Sequence, residues 1–446
     1  MQIRTKYLKW WIIAVTIWFG GSSLKAQQRS LPRPIPHQLV SQEDADNDTL
    51  MLSLEQTDSL FLNHNFDLLV SRYQVSSDSA LIRQARLWDN PSFTAELGMN
   101  SINHLKPNFG KSGETAYTVD QIIQLAGKRS KSVALATFNA DYSEASFMNL
   151  MRTLKWQLHA SFTDYYFKYR SIQVLKEQQQ ILDRIVAAYQ KADSSGSVAH
   201  GDYMRLRQLQ ISLKNDVLSA LSQLNDLQQS LQQLLGITTP ILPVYKEVGI
   251  SSRLPGNLVL SGLIQKALTV RPDMQMSALD KKTAVANYQL QKAIAVPDLH
   301  VGASYDQNSG VVHNYMGLTL GIDLPFWNRN QGNIRSARLL VDQAGIKGEQ
   351  QQNIVITEVS GAYRKYKDYK EAFKPRELND FQQNFYTLIS QVADNFTKGN
   401  ITLLQFIDFF NSYSDNYNDQ NGYYSALLNA FNDLEYAVGS SLQTEE

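Results

Sequence analysis

Two parts of the chain, about 206 residues apart, repeat one pattern, and that pattern limits the fold more than any single motif does. Asp67 and Asp273 each open a helical stretch, and Pro91 and Pro297 each close it. A strand follows each proline. "SFTAELGMN" sets Phe93, Ala95, Leu97 and Met99 against Thr94, Glu96, Gly98 and Asn100; "DLHVGASYD" sets Leu299, Val301, Ala303 and Tyr305 against His300, Gly302, Ser304 and Asp306. Alternation with period two marks a strand with one apolar face. Polar loops, Ser101 to Thr115 and Gln307 to His313, then lead to second strands that begin at Tyr117 and Tyr315. The latter places Met316, Leu318, Leu320, Ile322 and Leu324 on one face. Each half thus reads helix, strand, hairpin loop, strand, helix.

The closing helices are long. No glycine or proline occurs between Gly127 and Gly196, and Leu154, Leu158, Phe162, Tyr165, Tyr169, Ile172 and Leu175 recur in steps of three or four. Such a helix reaches on the order of 100 Å at about 1.5 Å per residue. The chain turns back at "SSGSVAHGD" into a second stripe of leucines ending at Gly236. In the second half "TKGNITLLQF" makes the same turn, with Gly399, Ile401 and Phe406 standing 203 residues beyond Gly196, Val198 and Tyr203, and Gly439 beyond Gly236. Here the descending helix carries Gly345, Gly348, Gly361 and Pro375, and a break is expected near Pro375, because proline removes a backbone donor and clashes with the preceding turn. The organisation expected is a leader at 1–26, an extended lead-in at 27–48, repeats at 49–236 and 257–440, a proline-containing connector at 237–256 and a tail at 441–446.

The leader has basic Arg4, Lys6 and Lys9, an apolar run from Trp10 to Phe19 and small residues ending at Ala26, the layout of a cleaved secretory signal. Its removal leaves 38 basic against 42 acidic residues, a balance that gives no support to nucleic-acid binding. No cysteine occurs, which excludes disulfides, thiolate chemistry and a lipid anchor through cysteine. After the leader no apolar stretch approaches the roughly 18 to 20 residues of a membrane helix. An exported chain of this kind spans a membrane only as a closed β-barrel. Four strands are too few to close one, since about eight are needed, so several chains share the barrel. Long helices with narrow apolar seams pack side by side as coiled coils. Placed around the barrel axis they extend it into a tube.

At this point two stretches, "QIIQLAGKRSKSV" and "LTLGIDLPFWNRNQGNIRSA", resemble the strand-to-helix junctions of the TolC-like outer-membrane efflux family, especially its heavy-metal branch. The resemblance runs from about residue 52 to 440. It implies a mainly helical fold with a β-barrel portion: a homotrimer whose twelve strands form one transmembrane barrel in outer-membrane lipid. Its long helices would form a tunnel across the periplasm that docks, through a periplasmic adaptor, onto an inner-membrane pump. The function implied is that of an exit duct for small molecules or metal ions; a duct for type I protein secretion is the alternative. A reading from a different class is a secreted coiled-coil structural or adhesive protein. The family narrows its tunnel with acidic residues after the second tip turn, and those positions fall on Gln405 and Asp408, of which only Asp408 keeps the charge. In "GDYMRLR" the resemblance points to Asp202 and Arg207 as a pair that helps hold the tip closed. From the residues alone, Asp408 is a solvated helix residue, Asp202 an N-cap after Gly201 and Arg207 a solubilising side chain.

Aromatic residues flank the strands at Trp88, Tyr117, Tyr315, Phe326 and Trp327, and together they suggest the interfacial girdle of a membrane barrel. The seven histidines show no metal-ligand spacing, and His200, beside the first tip turn, is the one to test for cation contact. No nucleophile triad, phosphate loop or zinc motif is present, so neither an enzyme nor a cofactor is expected.

Overall fold

The computed structural model describes residues 49–101, 104–107, 114–245, 254–255, 258–309, 312–372 and 388–442. The leader, the lead-in, the break near Pro375 and the end of the tail lie outside these residues.

In the first repeat, β1 (Leu50–Leu52), α1 (Leu54–His64) and α2 (Phe66–Ala85) precede β2 (Ser92–Leu97), a small hairpin of β3 (Met99–Ser101) and β4 (His104–Pro107), and β5 (Thr115–Ile123). Then come α3 (Lys128–Ser194), α4 (His200–Leu235) and β6 (Ile241–Pro243). The second repeat holds α5 (Leu260–Val270), α6 (Pro272–Ile294), β7 (Leu299–Ser309), β8 (Val312–Ile322), α7 (Gln331–Ala372), a helical segment at 388–397 and α8 (Leu403–Val438). Four features differ from the sequence reading. The β3–β4 hairpin reaches into the stretch 101–115 expected to be loop. A short helix, α1 or α5, precedes each opening helix, because Asn65 and Arg271 adopt extended backbone between two helices. Part of the 237–256 connector is a strand, β6, pairing in parallel with β1. The strands β7 and β8 reach further into the polar stretch 307–313 than expected, pairing Asn308 with His313 and Ser309 with Val312.

The principal sheet is antiparallel in the order β2-β5-β7-β8, so the two repeats meet at β5 and β7 and leave β2 and β8 as edges. Below it lies a layer of helices. The first half of α3, 67 residues in all, runs beside α2 and α6, where Ser143 donates to Asp78 and Ala134 and Phe138 face Val285 and Ala286. Its second half runs between α4 and α8. Leu158, Phe162 and Leu182 are fully buried there, with Leu206 and Leu231 of α4 and Phe406 of α8. The α3–α8 seam is more polar: Asn421 donates to Ser171, Ser425 and Asn429 donate to Asp164, and the Trp156 indole donates to Asp433. In the second repeat α7 runs unbroken through Gly345, Gly348 and Gly361, since packing against α6 and α8 offsets the roughly 1 kcal/mol that each glycine costs a helix.

The two repeats are locked by matching contacts. The amide of Asn65 donates to Leu234 O at 2.7 Å, and at the same place in the second repeat the guanidinium of Arg271 donates to Ala437 O at 2.8 Å. Both long return helices end in a left-handed glycine pressed on that spot, where a Cβ on Gly236 would come within 2.5 Å of His64 O and one on Gly439 within 2.7 Å of Arg271 Cγ. The second lock is ionic. Arg271, 2% exposed, also binds Asp273 and Glu358 (2.7 Å), while Asp273 accepts from Arg152 (3.2 Å) and Gln351 (3.1 Å). This hub ties α3, the α5–α6 joint, α7 and α8 together.

Burial raises the Asp273 carboxyl, but the Arg271 hydrogen bond and the charges of Arg152 and Arg271 outweigh it and hold the group below its ordinary value of 3.8. The stability this gives is therefore present above that value and is lost as pH falls through the lower, folded value. Asp273→Asn is expected to destabilise the protein by about 3 to 5 kcal/mol by leaving buried arginines unpaired. Its melting temperature is expected to fall less steeply than that of the wild type below about pH 4, as thermal denaturation against pH will show.

Candidate functional site

The principal sheet has two unlike faces. Register places Phe93 beside Val119, Val119 beside Ala303 and Ala303 beside Leu318, and carries Leu299, Val301, Leu320 and Ile322 on the same side. That face is bare within the chain, with Leu318 89% and Leu320 74% exposed. Tyr117 stacks there between Phe93 (6.0 Å) and Tyr305 (6.4 Å), a ladder of rings across three strands. The opposite face carries Thr94, Glu96, Asp120, His300, Ser304, Asp306 and Thr319, and His300 sits between Asp120 (3.3 Å) and Asp323 (3.9 Å). Tyr315 is on this polar face, not with Tyr117. It is one residue out of phase with Met316, and its ring lies over Gly317, whose cross-strand partner is Ser304. With period two, a position near a strand end says nothing of side, and parity decides it.

At the other end of the strands the chain turns into helix by two related joints. In the first, Ala126 and Gly127 are left-handed (φ 56° and 69°), and Asp298 accepts from Leu125 N (3.0 Å) and pairs with the buried Lys128 (2.7 Å). In the second, Asn330, 203 residues beyond Gly127, is left-handed at φ 57°. Asparagine tolerates that conformation because its short amide bonds locally: Nδ2 donates to Gln291 O (2.8 Å) and Oδ1 accepts from Asn333 (2.6 Å). Asn328 Oδ1 accepts from Asn330 N, and Gln331 bridges Arg329 N and Trp327 O. Phe326 and Trp327 stand outside this turn, 64% and 88% exposed, in an edge-to-face pair. Trp88 is 60% exposed at the matching level of the first repeat, with the Arg129 guanidinium 3.8 Å from its ring centroid.

The far ends of the helices form two equivalent tips. Gly196 and Gly399 are left-handed, and Ser197 N→Ala192 O and Asn400 N→Asn395 O close both turns at 2.8 Å. Asp408 is exposed and makes no hydrogen bond or ion pair among the described residues. Gln405, also exposed, has its amide oxygen occupied by Thr402 N (2.9 Å) and Thr402 Oγ1 (3.0 Å), a capping box that starts α8. Asp202 is not an N-cap. The helix starts earlier, after extended Ala199, and places Asp202 in its first turn; burial of the Tyr189 phenol, and after it the nearby Asp202 charge, raise that phenol. Arg207 does not bond Asp202 within the chain; it donates to Gln210 (2.7 Å), which donates to Asp183 of α3 (2.6 Å). His200 pairs with Asp193 (3.0 Å). The sequence reading missed the aromatic column that joins the two tips, Tyr189 on Phe396 (5.3 Å) and Phe396 on Phe406 (4.6 Å). Its only sequence signal was the apolar phase of three rings from distant segments.

Among the described residues no group of side chains could hold a metal ion, and no helix is long and apolar enough to cross a membrane. A bare apolar sheet face backed by a polar one, continued by helices longer than any compact domain needs, defines a β-sheet and helix wall of the kind found in outer-membrane ducts. The chain belongs to the outer membrane efflux protein family, whose model matches residues 59–237 and 263–440. It is accordingly an outer-membrane exit duct of an efflux system. It is 25% identical over 296 residues to the cobalt-zinc-cadmium resistance protein CzcC of Cupriavidus metallidurans, covering 66% of this chain and 68% of that one. It is 26% identical over 203 residues to the pyoverdine export outer membrane protein OpmQ of Pseudomonas putida, covering 43% and 42%. Its fold is similar to that of CusC (TM-score 0.68, 19% identity, 88% and 94% covered) and of the Campylobacter jejuni CmeC outer membrane channel (0.70, 14%, 88% and 87%).

Removing Asp298 leaves both the buried ammonium of Lys128 and the amide of Leu125 without their acceptor. Asp298→Ala is expected to cost about 3 kcal/mol, and Asp298→Asn, which still accepts from Leu125 N, distinctly less; chemical denaturation monitored by circular dichroism will rank the two.

Proposed function

We propose that three copies of this chain close one twelve-stranded barrel and one helical cylinder, and that the assembly passes metal ions or small molecules received from an inner-membrane pump through a periplasmic adaptor. The observation that carries this is the four-stranded sheet with a bare apolar face and two open edges. In lipid each unpaired backbone group would cost several kcal/mol, and joining β8 of one copy to β2 of the next removes every edge. The same junction brings the exposed Leu339 and Ile346 of α7 toward Val70 and Tyr73 of α2, also exposed. Residues 1–26 serve as the export signal and are removed. The likeness to CzcC supports metal cations as the cargo. The duct has no chemistry of its own, so the driving force comes from the pump.

The tips form the gate. Three copies of Asp408 around a narrow axis make a negative ring that favours cations, as acidic rings do in channels. Gln405 keeps the helix start rigid beneath that ring, and its lost charge makes the ring single. Arg207, tied through Gln210 to Asp183, braces the first hairpin, with Asp202 beside it at the turn. Opening requires the hairpins to part, and the ring column of Tyr189, Phe396 and Phe406 links the two that move.

Outer-membrane fractions are expected to hold β-rich trimers whose electrophoretic migration shifts on heating; recovery as a soluble, wholly helical rod would overturn the duct. In single-channel recordings Asp408→Ala is expected to lower cation preference and Arg207→Ala to raise conductance. If both leave the currents unchanged, the gate lies elsewhere.

A further inference from the structure

Charge is distributed unevenly along the wall. Over the whole chain 42 basic residues balance 42 acidic ones, yet the segments flanking the strand-to-helix joints, 83–91, 124–138, 288–298 and 323–338, hold nine basic residues against three acidic. One step further from the sheet, segments 72–82, 139–150, 272–287 and 339–352 hold four basic against seven acidic. The excess is thus a belt at one level.

Part of that belt has a local explanation. Arg83 and Lys292 lie in the last turns of α2 and α6, where a cation suits the helix dipole, and Lys128 is consumed by Asp298. Apart from Arg86, which caps the C-terminal end of α2, the remainder is on the wrong side of the dipole or just ahead of it. Both α3 and α7 begin at the joints with no acidic residue in the first turn, and Arg129, Lys131, Arg335 and Arg338 occupy their opening turns. Cations at a helix start are unfavourable there unless an anion is close. Arg86, Arg329, Arg335 and Arg338 are exposed and have no carboxylate partner among the described residues. The exposed rings of Trp88, Phe326 and Trp327 stand at the same level, the depth at which tryptophan settles at a membrane interface.

We propose that this belt binds anionic phospholipid headgroups of the periplasmic leaflet, fixing how deep the joints sit. It rests on the shared-barrel reading, which puts the ends of the strands at that leaflet. The opening turns offer backbone N–H groups together with guanidinium forks, the chemistry that recognises a phosphodiester. Anionic lipid in turn neutralises the repulsion among three belts brought side by side.

The test uses the full-length assembly in nanodiscs of equal phosphatidylglycerol and phosphatidylethanolamine, with retained lipid counted by native mass spectrometry. Each basic residue near an anionic surface is worth about fivefold in attraction. The wild type is expected to hold phosphatidylglycerol over phosphatidylethanolamine by about fivefold or more, and R329Q/R335Q/R338Q to fall near parity. K281Q/K282Q, altered deeper on α6, is expected to keep the preference. Raising salt from about 0.1 M to about 1 M, which shortens the screening length to about 3 Å, is expected to erase it in the wild type without any substitution. No preference in the wild type, or one that neither salt nor the triple variant reduces, overturns the proposal. So does an unchanged lipid ratio accompanied by lost adaptor binding in the triple variant, which would assign the belt to the adaptor. Trimer migration read on the same discs reports separately on the barrel.

Discussion

In hydrocarbon every backbone N–H and C=O must find its partner within protein, because no water is present to supply one. Among the described residues the principal sheet has four strands, in the order β2-β5-β7-β8, and no strand pairs with the outer side of β2 or β8. In the proposed trimer those two edges meet their counterparts, and the rest of the molecule serves that closure. The apolar ladder of Phe93, Tyr117 and Tyr305 faces outward because the polar side must face a lumen. The helices have to continue the curve of the sheet.

That continuity rests on the joints. A strand rises about 3.3 Å per residue and a helix about 1.5 Å, so the passage between them needs a sharp change of direction. Left-handed backbone supplies it in each repeat, at Ala126 and Gly127 in one and at Asn330 in the other. The two solutions differ in their support. The first joint leans on the Asp298–Lys128 pair, the second on a mesh of amides around Asn330. Further along, the paired contacts Asn65–Leu234 and Arg271–Ala437 hold the return helices to the opening ones at equivalent positions. One repeat meets this need with a neutral amide, whereas the other buries an arginine and therefore needs Asp273 and Glu358 around it.

Strand parity, helix length and the two repeats were legible because they depend on local periodicity, which side-chain order along the chain states directly. The tip turns were legible for the same reason, since only glycine enters the left-handed region without cost. The breaks at Asn65 and Arg271 were not, because each residue sits between two stretches that are both helical in pattern, and only contact with a distant carbonyl makes an extended residue worthwhile. The β1·β6 pair was hidden likewise, as three-residue strands have too little pattern to read.

Among the proposed gate residues, Asp408 and Arg207 stand out in the sequence only through resemblance, whereas their neighbours were decided by packing. Gln405 looked like a weakened gate position and is engaged in the capping box with Thr402. Sequence alone determined that the chain alternates apolar and polar residues over strands, that its helices are far too long for a compact domain, and that its repeats match within a few residues. Only the tertiary structure decided which residues share a joint, which arginines pair across helices and which rings stack between the tips, because those partners lie scores to hundreds of residues apart and meet only when the long helices lie side by side.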